Sequence, residues 1–186
     1  MNTTLIIIIV AIAVLAIGAA VWMFLEKRKT ERLRSRFGPE YDRLAESEGD
    51  RRQAEKVLAQ REKRVSRLDI SPLTPEDRDR FASSWQAEQS RFVDDPRAAL
   101  ANADRLVTEV MKARGYPMGD FEQRAEDVSV DHASVVENYR IAHDIALRDR
   151  RGEATTEQLR KGLLHYRMLF QELLEGRVGE PAEVRR

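Results

Sequence analysis

An uninterrupted apolar run near the N-terminus constrains this chain more than any other feature. Leu5 to Leu25 is a stretch of 21 residues without a charged side chain, and only Gly18 in it falls outside the hydrophobic class. A helix of that length, rising about 1.5 Å per residue, would measure roughly 31 Å, close to the roughly 30 Å of a hydrocarbon core. A cleaved signal peptide would need a basic start, which Met1–Thr4 lacks. The run therefore predicts an uncleaved N-terminal transmembrane helix.

A basic segment follows the run and indicates its orientation. Glu26–Arg36 holds six basic and two acidic residues, whereas the four residues before the run hold no basic one. Because Lys and Arg flanking a span favour the cytoplasmic side, we expect the N-terminus outside and the C-terminal part in the cytoplasm. We interpret this basic collar as a topology signal, with binding of anionic lipid headgroups as the alternative. The collar residues are Lys27, Arg28, Lys29, Arg32, Arg34 and Arg36.

The rest of the chain, residues 37–186, forms a mildly acidic body. The 32 basic and 32 acidic residues of the chain cancel, but residues 37–186 hold 26 basic and 30 acidic ones. A nucleic-acid-binding domain would usually be clearly basic, so we expect no nucleic-acid partner. The absence of Cys excludes disulfides, thiolate metal sites and cysteine nucleophiles.

Beyond the collar, the apolar residues recur at helical spacing, and Gly and Pro stand where helices begin and end. The predicted fold class is all-α: an N-terminal transmembrane helix, a charged helical linker and a small antiparallel helical bundle. The linker helix over residues 50–67 has few apolar positions and is expected to be exposed or to form part of a short coiled coil. The predicted domains are residues 1–25 (tail and transmembrane helix), 26–73 (collar and linker), 74–175 (bundle) and 176–186 (flexible tail).

Several helix starts are signalled by a capping side chain. Thr74 and Asp95 each precede a Pro, which at the first helical position loses no needed hydrogen bond. Asp50 and Asp131 are predicted to cap two further helices.

A search for chemistry finds no catalytic constellation. The motifs G-x-x-x-x-G-K-[ST], G-x-G-x-x-G, H-E-x-x-H and G-x-S-x-G are all missing. None of the three histidines has a Glu three residues before it, as a di-iron bundle would need. We therefore expect a non-enzyme with no catalytic residue, no metal ligand and no cofactor. The histidines are His132, His143 and His165.

One group of aromatic residues could bind a partner. Phe81, Trp85 and Phe92 share a helix face, and Tyr116 and Phe121 flank the following Gly/Pro turn. The face could be core packing of the bundle, or a groove that accepts a partner helix. The sequence leaves both interpretations open.

Four strings of the sequence are RFGPEY (36–41), RFVDDP (91–96), ARGYP (113–117) and FEQRA (121–125). Together they resemble a family of uncharacterised bacterial proteins with one N-terminal span and a helical C-terminal part. The similarity covers about residues 36–174, and in the family pattern a Pro follows the His where this chain has Ala133. The resemblance implies no known activity, cofactor or catalytic residue. We expect the protein in a bacterial inner membrane.

The leading functional hypothesis is a membrane-anchored helical interaction or scaffold module. Its expected partners are the lipid bilayer, a protein partner or a second copy of the chain, and anionic lipid headgroups. The alternative is a structural stalk or coiled-coil membrane protein that associates with itself.

Overall fold

The computed structural model describes the backbone of residues 3–175 and the side chains of residues 11–175. This part of the chain forms eight α-helices and no strand, which confirms the predicted all-α class. The predicted flexible tail, residues 176–186, lies outside the described residues. The helices are α1 (Thr3–Phe37), α2 (Pro39–Glu48), α3 (Arg51–Val65), α4 (Pro75–Arg91), α5 (Pro96–Ala113), α6 (Phe121–Asp131), α7 (Ala133–Arg150) and α8 (Thr156–Glu175).

Helices α4 to α8 pack into the bundle that the sequence predicts. Helix α8 packs against both α5 and α7, while α4 packs on α5 and α6 on α7. Gly162 of α8 allows α5 and α7 to pack closely against it, since a Cβ there would lie 3.0 Å from Leu100 of α5 and 3.1 Å from Ile145 of α7. The large buried residues of this core include Tyr139, Tyr166 and Phe170.

A second apolar cluster joins the end of α1 to α2 and α3. Leu33 and Phe37 of α1 are fully buried against Leu58 of α3. Helix α3 also packs on α6, and α2 on α7. The prediction of an exposed or coiled-coil helix over residues 50–67 is therefore wrong, because its sparse apolar positions share one face and pack onto two neighbouring helices.

Three of the four predicted capping residues cap the start of a helix. The side chains of Asp50, Thr74 and Asp95 accept hydrogen bonds from the backbone N–H of Arg52, Asp77 and Ala98, at 2.9, 3.1 and 3.0 Å. The fourth prediction is wrong, because Asp131 is the last residue of α6. His132 precedes α7 and makes no side-chain capping bond.

Helix α1 contains the apolar run that predicts a transmembrane helix. Part of that run, residues 5–10, has side chains outside the described part of the chain. Within residues 11–175, no helix is both long enough and apolar enough to cross a membrane. The described apolar stretch, Ala11–Leu25, measures about 22 Å at 1.5 Å per residue, which is shorter than a hydrocarbon core of roughly 30 Å. This finding contradicts the predicted transmembrane helix and the single-pass placement in a bacterial inner membrane.

Candidate functional site

Three arginines of the basic collar face the body of the protein. Nη2 of Arg32 and Nη1 of Arg36 lie 3.0 and 2.7 Å from the two carboxylate oxygens of Glu62 on α3. Nη2 of Arg34 lies 3.2 Å from Oδ1 of Asp42 on α2. These pairs hold the second half of α1 against its neighbouring helices.

Arg36 also reaches the end of α6. Its Nε donates to the carbonyl oxygen of Val130 at 3.3 Å, and its Nη2 lies 3.6 Å from Oδ1 of Asp131. A single guanidinium thus joins α1 to both α3 and α6.

The three remaining collar residues have looser contacts. The Nζ atoms of Lys27 and Lys29 lie 4.0 Å from carboxylate oxygens of Glu31 and Glu55. The guanidinium of Arg28 lies over the ring of Phe24, 4.5 Å from its centroid. Binding of lipid headgroups by the collar stays a prediction.

A buried ion network connects the two apolar clusters. Oε1 of Glu40 accepts hydrogen bonds from Arg61 at 2.8 Å, from Arg43 at 2.8 Å and from Arg140 at 3.3 Å. These residues belong to α2, α3 and α7, so one carboxylate binds three helices together. Burial alone would raise the pKa of Glu40, but the hydrogen bond from Arg43 and the charges of its arginine partners hold it below its ordinary value.

The network continues onto α6. Arg61 donates to Glu126 at 2.9 Å, and Arg64 donates to Glu126 at 3.0 Å and to Asp127 at 2.8 Å. Glu126 and Asp127 of α6 thus pair with arginines of α3. Sequence analysis missed this network, since its contacts between helices join residues 21 to 100 positions apart and no local pattern connects them.

The predicted partner groove lies in or against the bundle core. Phe81, Trp85 and Tyr116 are buried, and Phe92 and Phe121 are partly buried against the same core. The ring centroids of Trp85 and Phe170 lie 4.5 Å apart in a stacked arrangement. The structure therefore brings these five residues to one core, while their binding of a partner helix stays a prediction.

The three histidines make separate contacts. Nδ1 of His132 lies 3.2 Å from Glu172, and Nδ1 of His165 lies 2.8 Å from Asn138. His143 stacks on Phe121 with ring centroids 3.7 Å apart, and burial lowers the pKa of its imidazole. No group of three His, Cys, Asp or Glu side chains in the described residues could hold a metal ion.

One arginine is completely buried at the end of the bundle. Nη1 of Arg114 donates to the carbonyl oxygen of Leu173 at 2.8 Å, in the last turn of α8. Carbonyl groups in the last turn of a helix lack a hydrogen-bond partner within that helix, and a cation there interacts favourably with the helix dipole. Burial lowers the pKa of this guanidinium, although the nearby Tyr116 and Asp131 act in the opposite direction. Arg114 therefore stabilises the helix end.

The first half of α1 offers the largest apolar surface in the described part of the chain. We call Ala11–Leu25 the apolar arm. Its nine large apolar side chains are 51–73% exposed, whereas Leu33 and Phe37 in the second half of the same helix are fully buried. Contiguous exposed apolar surface on this scale marks a site of interaction. The arm is therefore the candidate functional site.

The network and the arm together divide the molecule into a fixed part and an exposed part. The charged groups of the network pair with one another, and the large apolar side chains of the arm are exposed. No family model, curated protein or solved structure matches the chain. The resemblance to a bacterial family therefore stays a prediction.

Proposed function

We propose that the protein is a helical scaffold that associates with a second copy of itself through the apolar arm. The observation that carries this proposal is the exposure of all nine large apolar side chains of the arm. A helix that is apolar on every side is stable only when its surface is covered. In this proposal the protein acts by association and performs no catalysis.

The distribution of charge along α1 is compatible with a second copy of the chain covering the apolar arm. It favours an antiparallel arrangement of the two arms. The arm has no charge, and the collar that follows it has a net charge of +4. Two parallel arms would bring both collars together, where like charges repel. Two antiparallel arms would separate the collars by the length of the arm, about 22 Å, at which surface charges are largely screened.

The body supports the role of a scaffold. Collar arginines tie the second half of α1 to α2, α3 and α6. The body therefore fixes the direction in which the arm projects. The alternative of an extended stalk has less support, because α2 and α3 fold back onto the bundle.

Cysteine cross-linking of the full chain tests this proposal, since the natural sequence has no Cys. Ile17→Cys lies near the middle of the arm, where antiparallel copies cross, and Leu25→Cys lies at its collar end. We expect Ile17→Cys to give a disulfide-linked dimer and Leu25→Cys to give much less. Val93→Cys, on an exposed turn 84% accessible to solvent, is the matched control and should give no disulfide-linked dimer, because it lies outside the arm.

Light scattering on the unmodified chain gives the oligomeric state without cross-linking. A monomer at tens of micromolar protein would overturn the proposal, because arms that cover each other should associate at that concentration. A chain that instead moves onto lipid vesicles, with loss of the Ile17→Cys dimer, would assign the arm to lipid and would also overturn it.

A further inference from the structure

A surface pocket lies where the linker between α3 and α4 crosses the end of α6. Its volume is ≈ 540 Å³, within the range of pockets that hold small ligands or peptide side chains. We call it the linker pocket. Its floor is apolar and consists of Val65 of α3, Leu68 and Ile70 of the linker, and Val130 of α6.

The acidic groups at the rim of the linker pocket are already paired. Oε1 of Glu62 lies 2.7 Å from Arg36, and its Oε2 lies 3.0 Å from Arg32. Oδ1 of Asp131 lies 3.6 Å from the same Arg36. These contacts neutralise both carboxylates within the protein, so neither is free to attract a basic ligand.

One cation that lines the pocket has no such partner. Lys63 is exposed, and it forms no ion pair with any residue whose side chain the structure describes. The pocket thus combines an apolar floor with an unpaired ammonium group at its rim, and its complement is an aliphatic group next to a carboxylate.

We propose that the linker pocket binds an acidic peptide segment of a partner protein. An aliphatic side chain of that segment packs on Val65, Leu68 and Val130, and a neighbouring carboxylate pairs with Lys63. The linker pocket is separate from the apolar arm, so this proposal does not depend on self-association.

Fluorescence anisotropy with the full chain tests the linker pocket. The probe is a labelled hexapeptide with a Leu-Ile pair between two Asp residues on each side. One control peptide replaces the four Asp by Lys, and another replaces Leu and Ile by Ser. We expect saturable binding of the probe, and affinities at least about fivefold weaker for both control peptides, since each removes one half of the match.

Two charge reversals on α3 separate the pocket from general electrostatics. Lys63→Glu should weaken binding of the probe about fivefold, because the variant loses an exposed ion pair with the probe and its new carboxylate repels the Asp residues of the probe. Lys56→Glu changes the net charge equally, on an exposed residue of the same helix that does not line the pocket, and should leave the affinity unchanged. Circular dichroism checks that both variants keep the fold.

Three results would overturn the proposal. These are no saturable binding up to about 1 mM probe, equal binding of the basic peptide, or the same loss of affinity in Lys56→Glu as in Lys63→Glu.

Discussion

Nη1 of Arg61 donates a hydrogen bond to Oε1 of Glu40 across 2.8 Å, and the two side chains are only 5% and 0% exposed. The pair joins α2 to α3, and Arg140 extends it to α7. A buried charge is stable only with good partners, because its transfer from water costs several kcal/mol. The position of the N-terminal helices on the bundle therefore depends on a few charged side chains.

Removal of the charge at Glu40 should be strongly destabilising. We expect Glu40→Gln to lower the free energy of unfolding by about 3 kcal/mol, because Arg43, Arg61 and Arg140 lose their shared carboxylate. Urea unfolding followed by circular dichroism measures the change. Glu157→Gln is the matched control, since Glu157 pairs with Arg160 in solvent, and its effect on stability should be small. Equal effects of the two variants would contradict a buried network.

The stability of the protein should depend on His143 in mildly acidic solution. Burial lowers the pKa of His143, so the folded state binds this proton less readily than the unfolded chain does. The stability that neutral His143 contributes is therefore fully present above pH about 6.5, the pKa of a histidine in an unfolded chain. It is lost as pH falls through the lower pKa of the folded state. Urea unfolding at pH 7.5 and pH 5 should show a smaller decrease for His143→Gln than for the unmodified chain. An unchanged decrease would argue against this role.

A close backbone approach at Gly115 should make that position intolerant of a side chain. Gly115 has φ +96°, and a Cβ there would collide with the backbone oxygen of Asp69 in the linker. Gly152 has a similar φ of +74°, but open space around it. We expect Gly152→Ala to cost about 1–2 kcal/mol from backbone strain alone, and Gly115→Ala to cost clearly more. Thermal unfolding of both variants measures the difference, and equal costs would show that the linker yields freely.

Truncation of Trp85 should distinguish core packing from a binding groove. Trp85 is buried and stacks on Phe170, so Trp85→Ala should lower the free energy of unfolding by about 3–5 kcal/mol. Val93→Ala, on an exposed turn, should have almost no effect. Urea unfolding gives both values. A stability that survives Trp85→Ala would instead favour the groove.

The bundle shows how well local sequence patterns predict the starts of helices. Thr74-Pro75 and Asp95-Pro96 fix the starts of α4 and α5, because a cap and a Pro act on the first turn alone and need no other part of the chain. Asp131 is also a capping residue type, but no Pro follows it, and it is the last residue of α6. Its carboxylate contacts Arg36 and Tyr116. A capping signal predicts a helix start only where the neighbouring packing leaves the residue free.

For the aromatic residues too, the sequence predicts one part of the packing and only the structure shows the other. Their helical spacing predicts a shared face for Phe81 and Trp85, and the structure places both in one core. The stacking of Trp85 on Phe170 and of Phe121 on His143 joins residues far apart in sequence. Periodicity identifies the face that is covered but carries no information on what covers it.

The sequence by itself determined the all-α class, most helix starts and the uncharged character of the first part of α1. These features follow from interactions within one helical turn or along one helix face. Only the tertiary structure decided that collar arginines bind Glu62 and Asp42, that Glu40 gathers three arginines, and that the linker closes a pocket against α6. Those contacts depend on how separate helices pack, and a charged side chain has the same local signature whether it meets solvent or a buried partner.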